Sequence, residues 1–521
     1  VRLFPIALFL LPASTALAVP PTGARPDADT WPWWNDTVFY EVFVRSFQDS
    51  DGDGVGDLRG LIDRLDDLTD GDPATTDDLG VTGLWLMPIT QSPSYHGYDV
   101  TDYRRVDEEY GTNDDFRELM DEAHARGIRV IVDLVMNHSS SQHPWFRDSA
   151  RRENGRADWY VWRADHPGWK GPWGSEAWHR ADGATRPDPW YYGVFWGGMP
   201  DLNYANADVT AEMFDVVRFW LEEMNVDGFR LDAIKHLIEN GPVQENTPAT
   251  HAWFRDYYRH YKSIRPDAIT VGEVWSGTDE VLPYIGDEVD LAFEFRLAGA
   301  MLQSARREDS APVREALRDV CARYPPQQWA TFLTNHDQDR TMTALAGSVN
   351  HARTAASLLL TSPGVPFLYY GEEIGQQGGK PDENIRSPMQ WSGGPRAGFT
   401  TGTPWRAPQA DADLVNVEAQ RMRVGSLWSH YRDLIDLRNR HAALRRGAWG
   451  GVPASDDRLY ACLRWTADDA VLVLINLGDE ALSGYRLSPA TSELRPSLVG
   501  VDLPSLSPYE TVVIPLPSPE E

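Results

Sequence analysis

Eight short apolar runs, separated by stretches of helical periodicity, constrain this chain more than any other feature. They read as strands at 38–44, 83–88, 129–135, 227–231, 269–272, 289–293, 331–334 and 365–369. Amphipathic stretches lie between them, for example 113–126, stopped by Gly127, and 210–225. Eight strands alternating with helices predict an α/β fold, a (β/α)8 TIM barrel. Such a barrel displays its chemistry at the carboxyl ends of its strands. Three carboxylates stand after such runs: Asp232 after VDGFRL, Glu273 after AITVG and Asp337 after ATFLTNH.

An acid after a strand is most often a turn or helix cap. These three stand in dense polar settings, with Arg230 before Asp232, Lys235 and His236 after it, and Asn335 and His336 before Asp337. Glycosidic cleavage needs one carboxyl that protonates the leaving oxygen and another that attacks the anomeric carbon. Arg230 alternates with Asp232 along its strand, so both face one cavity and the guanidinium keeps that carboxylate ionised. Val274 and Trp275 give Glu273 apolar neighbours, expected to raise its pKa as a proton donor requires.

The third strand is followed by roughly seventy residues before the next helix, far beyond the usual connection. This segment holds Trp145, Trp159, Trp162, Trp169, Trp173, Trp178, Trp190 and Trp196. It reads both as a small inserted domain with an aromatic core and as a wall of a sugar-binding cleft, and the sequence does not sort the tryptophans between these roles. The helix expected over 417–443 closes the barrel. Beyond Arg446, alternating runs broken by Gly, Pro and Ser predict an antiparallel β-sandwich. The expected boundaries are a barrel over 19–138 and 205–445, an insertion over 139–204 and a β domain over 446–521.

Residues 1–18 read as a signal peptide: Arg2, an apolar core from Leu3 to Leu11, and Ala16-Leu17-Ala18 as the cleavage site. The mature protein is therefore expected to be secreted, extracellular or periplasmic. No later stretch approaches a membrane span. The net charge of −30 argues against nucleic acid or anionic membranes as partners and fits a neutral polyol substrate. A monomer is expected. Two cysteines, Cys321 and Cys462, make no disulfide framework. Only four lysines occur: Lys170, Lys235, Lys262 and Lys380.

Asp49, Asp51, Asp53 and Asp57 alternate with small residues in DSDGDGVGD, reproducing the first nine positions of an EF-hand loop. Val55 stands where a backbone carbonyl would serve as ligand. Gly60 replaces the closing glutamate, so a Ca2+ loop is expected without the helix–loop–helix module.

DLVMNH (133–138), MPDLN (199–203), GFRLDAIKH (228–236), GEVW (272–275), FLTNHD (332–337) and GVPFLYYGEEIG (364–375) together resemble the α-amylase family of glycoside hydrolases, family 13. The resemblance implies Asp232 as nucleophile, Glu273 as general acid/base and Asp337 as the carboxylate that holds sugar hydroxyls. It implies His138 and His336 as hydrogen-bonding partners of the reacting ring, Tyr98 with His96 beside it as its stacking platform, and Arg386 of NIRSPMQW as a further substrate contact. Asn137 matches a second calcium site, to which the backbone oxygen of His236 would contribute; its acidic ligands in the insertion are not identified. Asp133 is expected to orient Arg230. Lys235 and His236, in D-x-x-K-H, are implied to contact glucose units beyond the cleaved bond.

These features suggest an α-amylase acting on starch and malto-oligosaccharides, with some transglycosylation or cyclodextrin opening alongside. MPDLN, the calcium loop and SPMQW also resemble oligosaccharide-acting branches, which leaves an α-glucosidase, an oligo-1,6-glucosidase or a cyclomaltodextrinase as the second reading. A third, from another class, is an inactive barrel that only binds carbohydrate.

Overall fold

The computed structural model describes residues 31–72, 74–181, 186–488 and 501–517, with Arg2, Leu3 and Leu498. Eight parallel strands form one barrel sheet: β1 (Phe39–Val42), β2 (Gly83–Leu86), β3 (Arg129–Leu134), β4 (Gly228–Leu231), β5 (Ile269–Gly272), β6 (Leu291–Ala292), β7 (Ala330–Thr331) and β8 (Val365–Tyr369). Their order is β6-β5-β4-β3-β2-β1-β8-β7. The Glu294 amide donates to the Ala330 carbonyl at 3.1 Å, continuing the ladder past the sheet's last strand. All eight expected strands are present. Several are shorter than the apolar runs, because residues such as Val135 and Phe293 continue into the loops that follow.

The apolar runs are continuous because both faces of each strand are covered; every residue of β1, β2, β4, β5 and β8 is buried. Each fully buried aliphatic side chain contributes about 1.5–3 kcal/mol of hydrophobic stabilisation. Close strand approach is secured at Gly228, φ +154°. A Cβ there would sit 2.0 Å from the Ile269 carbonyl oxygen on β5.

Chain contacts divide the protein into two compact units. One comprises 42–65 and 83–293, with β2–β6 and the insertion; the other comprises residues up to 41, 66–82 and 294–521. In the first, the helix Asn113–Ala125 starts at a capping box in which Thr112 and Asp115 satisfy each other's backbone amides, and it buries Phe116, Leu119, Met120 and Ala123. The helix expected over 210–225 starts earlier, at Ala207, because Asn206 caps it through the Asp208 amide; it ends in a wider π turn, Phe219–Glu223. The insertion carries three short antiparallel strands, Trp162–Arg163, Trp178–Arg180 and Trp190–Tyr192.

In the second unit, the single helix expected over 417–443 is three: Val417–Arg421, Leu427–Arg440 and Ala442–Arg446. Gly425, at φ +75°, breaks the first from the second, and Ser426 caps the new start through the Ser429 amide. Periodicity alone carried the expectation across that break. Beyond it, β9 (Ala448–Gly451), β10 (Leu459–Trp465), β11 (Ala470–Asn476) and β12 (Thr511–Pro515) form a four-stranded antiparallel sheet. Leu459, Ala461, Leu463, Leu472, Leu474, Val512 and Ile514 supply its apolar core. The facing layer of the expected sandwich is limited, among the described residues, to two bridges, Ala454 with Leu487 and Leu482 with Leu506. Cys321 and Cys462 are both free thiols.

Arg2 and Leu3 pair in parallel with Val512 and Val513; the remainder of the expected leader lies outside the described residues. No described helix is long and apolar enough to cross a membrane.

Candidate active site

Strand register builds the first half of the site. Asp133 on β3 aligns with Arg230 on β4, and Arg230 aligns with Val271 on β5. Side chains alternate along a strand, so Asp232 and Glu273, each two residues further on, keep to the same side of the sheet as Arg230. The result is one guanidinium among three carboxylates. Arg230 Nη1 donates to Asp133 at 2.8 and 3.0 Å and to Asp232 Oδ1 at 2.9 Å, and Nη2 donates to Glu273 Oε2 at 2.6 Å.

The Arg230 side chain is fully buried, and its guanidinium lies 5.1 Å from the Trp85 ring centroid. Burial works against its charge, but the surrounding carboxylates, Asp133 first, outweigh that and hold its pKa well above the usual value. Burial pushes the Asp133 carboxyl up to about 6 despite the opposing pull of Arg230, and the charge on Glu273 pushes in the same direction. Three carboxylates against one guanidinium leave two negative charges in excess, so the array favours holding a proton, shared among its coupled members.

Glu273 meets other groups than Val274 and Trp275. Successive residues point to opposite sides, so the carboxylate meets Arg230 and accepts from the Ala233 amide at 3.2 Å. That amide is aimed by Ala233's left-handed backbone, φ +48°. Val274 is buried, whereas Trp275 is half-exposed. Glu273 is thus held by a cation and a backbone amide. Asp133 holds Arg230, as expected.

Around this array, Tyr98 OH donates to Asp133 Oδ2 at 3.1 Å, and the Tyr98 and His96 rings lie 6.1 Å apart, nearly parallel. His96 Nδ1 accepts from the Tyr98 amide at 3.1 Å. His138 is buried, with Nε2 3.2 Å from the Tyr98 carbonyl oxygen; burial lowers its pKa to about 3, so the ring is neutral and Nε2 donates. His236 Nδ1 lies 2.9 Å from the Gln244 carbonyl oxygen, and burial lowers its pKa to about 4. Lys235 is already engaged: Nζ donates to the Trp275 carbonyl at 3.0 Å and pairs with Glu245 at 2.7 Å.

The second unit carries further candidate residues. Arg386 is buried and donates through Nη2 to Asp337 Oδ1 at 2.8 Å and through Nε to the His336 carbonyl at 3.0 Å. His336 Nε2 lies 3.3 Å from Asp337 Oδ2, and its Nδ1 lies 2.5 Å from Glu41 Oε1. Glu41 escaped the sequence reading. Its signal was present, as a single acid inside the apolar strand run FYEVFV.

Two places suit a cation. In the loop 49–57, carboxylate oxygens of Asp49, Asp51 and Asp57 lie within 4.8 Å of one another. Gly52 and Gly54, both at positive φ, fold the loop so that Asp49 accepts from both their amides, at 2.7 and 2.8 Å. Asp53 stands outside this trio and accepts from the Val55 amide at 2.7 Å. At the base of the insertion, Asn137 Nδ2 donates to Asp201 Oδ2 at 3.1 Å, while the buried Asn137 Oδ1 has no hydrogen-bond partner. Burial pushes the Asp201 and Glu239 carboxyls up, and the charge on Glu239 pushes Asp201 in the same direction. Clustered oxygen donors of this kind fit a hard divalent ion at both places. Asp201, within the MPDLN motif, and Glu239 are acidic groups near Asn137 that sequence reasoning did not name.

The sequence pattern of the Alpha-amylase family (Alpha amylase, catalytic domain) matches residues 41–447. Alpha-amylase 3 of Dictyoglomus thermophilum is 36% identical over 498 residues, covering 93% of this chain and 94% of that protein. The trehalose synthase/amylase of Mycobacterium tuberculosis is 37% identical over 518 residues, covering 85% and 82%. The crystal structure of the alpha-amylase from H. orenii is similar with a TM-score of 0.80 at 36% identity, covering 92% of this chain and 99% of that one. This chain belongs to the α-amylase family, glycoside hydrolase family 13.

Proposed function

We propose that the protein is an α-amylase, cleaving α-1,4-glucosidic bonds of starch and malto-oligosaccharides with retention of configuration. The observation that carries this reading is the Arg230 array, which holds two catalytic carboxylates on one guanidinium. Asp232 attacks the anomeric carbon, and Glu273 protonates the departing glycosidic oxygen with the proton that the crowded array retains. Glu273 then takes a proton from the water that releases the glucosyl unit from Asp232. Asp337, fixed by Arg386 and His336, holds hydroxyls of the reacting ring. His138 is read as a further hydrogen-bonding partner of the ring's hydroxyls, and Tyr98 packs against the ring's apolar face.

A Ca2+ ion at Asp49, Asp51 and Asp57, with Asp53 and the Val55 carbonyl completing the loop, would offset crowded charge and stabilise the fold. A second at Asn137, Asp201 and Glu239, with the His236 carbonyl, would fasten the base of the insertion. Export rests on the leader sequence 1–18, and the mature protein is read as a monomer.

The time course of products from soluble starch tests the reading. An α-amylase gives mixed oligosaccharides while viscosity falls early. Glucose as the sole early product would favour the α-glucosidase reading instead. Trehalose formed from maltose would favour the activity named for the mycobacterial relative.

A further inference from the structure

The segment 369–376, which ends β8 and follows it, is bonded to the chain on either side of Arg386. Tyr369 OH donates to the Ile385 carbonyl at 3.4 Å, and Tyr370 OH donates to the Ser387 carbonyl at 2.8 Å. Gln376 Nε2 donates to the Ser387 carbonyl at 3.2 Å and to the Pro388 carbonyl at 3.1 Å. Arg340, only 2% exposed, joins the two stretches. Its Nε donates to the Ile385 carbonyl and its Nη1 to the Tyr370 carbonyl, both at 2.6 Å. The guanidinium lies 4.5 and 4.6 Å from the centroids of the Tyr369 and Tyr370 rings.

Arg340 stands three residues after Asp337, and Ile385 immediately precedes Arg386. A closed circuit therefore runs along the chain from Asp337 to Arg340, across to Ile385, and back through Arg386 to the Asp337 carboxylate. The planar fork of a guanidinium holds two carbonyls at a fixed spacing, which a single ammonium does not. A second buried arginine does the same elsewhere in this unit. Arg438, 1% exposed, donates to the carbonyls of Leu360, Ser362 and Gly364 at 2.7–3.0 Å, where the chain enters β8 rather than leaves it. In such a barrel the entry end of the strands carries stability and the exit end carries chemistry.

We propose that Arg340 is a positioning residue: by pinning Ile385 to Tyr370 it fixes Arg386, and so sets where the Asp337 carboxylate stands. The inference rests on the reading of Asp337 as the group that holds hydroxyls of the reacting ring. Tyr370 works in the same bracket from the other side of Arg386, through Ser387. Arg438, with equal burial and the same kind of bond, serves the fold alone. The reacting ring is common to every substrate, so the bracket acts equally on long and short ones. A displacement of about 1 Å in a group that positions substrate can cost about a hundredfold in rate.

The test compares Arg340→Lys, Tyr370→Phe and Arg438→Lys in the full chain, at a temperature well below the melting of each. The readouts are kcat and KM for maltoheptaose and for 4-nitrophenyl α-glucoside. Arg340→Lys should lower kcat/KM about tenfold or more, by the same factor on both substrates and chiefly through kcat. Tyr370→Phe should give a smaller loss, again equal on both. Arg438→Lys should stay within about twofold of the parent although its melting temperature falls. An Arg340→Lys protein within about twofold of the parent, a loss no greater than that in Arg438→Lys, or a loss confined to maltoheptaose overturns the bracket. If Arg340→Lys does not fold, Tyr370→Phe, which removes a single hydroxyl, decides by the same criteria. A parent protein that hydrolyses the aryl glucoside but not maltoheptaose overturns the α-amylase reading alone, and the aryl glucoside then decides on the bracket. A parent active on neither substrate overturns both.

Discussion

Two groups of carboxylates in the same compact unit are built in opposite ways. Asp133, Asp232 and Glu273 are drawn together by Arg230, a fully buried cation that the chain itself supplies. Asp49, Asp51 and Asp57 are drawn together by backbone amides and glycine turns within one loop. The first cluster is assembled from three strands and fixed by its register, so its charge balance is permanent. The second is local in sequence, and the proposed calcium ion would offset its crowded charge. A permanent cation suits groups that must exchange protons and bonds with a substrate, because it holds their geometry through each step. An exchangeable cation suits a structural clasp, whose strength then depends on the surrounding ion concentration.

The comparison breaks most severely at its internal cation. Asp232→Asn should lower turnover by about four orders of magnitude or more while the protein still melts cooperatively, since it removes the attacking oxygen but not the fold. Arg230→Ala should abolish activity and also cost about 3–5 kcal/mol of stability, because three buried or half-buried carboxylates lose their shared partner. An Arg230→Ala protein with normal melting would show that the array does not depend on its guanidinium.

The external cation gives a smaller and conditional effect. Melting in chelator should lie below melting in excess calcium by about 4 kcal/mol when free calcium is a thousandfold above Kd. Asp51→Asn should shrink that gap. Identical curves, in protein shown by elemental analysis to be metal-free, would end the calcium assignment. Lys235→Ala should cost about 1–2 kcal/mol in kcat/KM for maltoheptaose, the scale of one charge-assisted hydrogen bond, and less for a small aryl glucoside. Equal losses on both substrates would mean that its pair with Glu245 supports the fold rather than the leaving group.

Protonation gives the finest test. The folded pKa of His138 is lowered to about 3, below the unfolded value of about 6.5, so the unfolded chain takes up the proton first as the solution is acidified. Its contribution to stability is therefore full above about pH 6.5 and is lost as pH falls toward 3. His138 ring-nitrogen shifts should stay those of a neutral imidazole from pH 8 to pH 5. A midpoint near pH 6.5 would place the ring in water.

Most of the barrel was legible because strands buried on both faces leave continuous apolar runs, and the sheet retains all eight. The break at Gly425 was not, since glycine within a helical pattern signals either a tolerated residue or a stop. The site was legible wherever one strand carries the motif, as with Arg230 and Asp232. Glu41 meets His336 across the chain, and Asn137 meets Asp201 across the insertion, so their partnerships depend on folding rather than on spacing. The tryptophans of the insertion show the same limit. Identical residues in one aromatic-rich segment divide into core and surface once folded, with Trp178 in the core and Trp173 and Trp196 exposed.

The central claim is that Asp232 and Glu273, held by one guanidinium, work as nucleophile and acid/base in a double displacement. Proton NMR of the first product released from a malto-oligosaccharide, recorded before mutarotation, reads this directly. The account predicts a reducing end that appears first as the α-anomer and only later equilibrates. A reducing end that appears first as the β-anomer would contradict it.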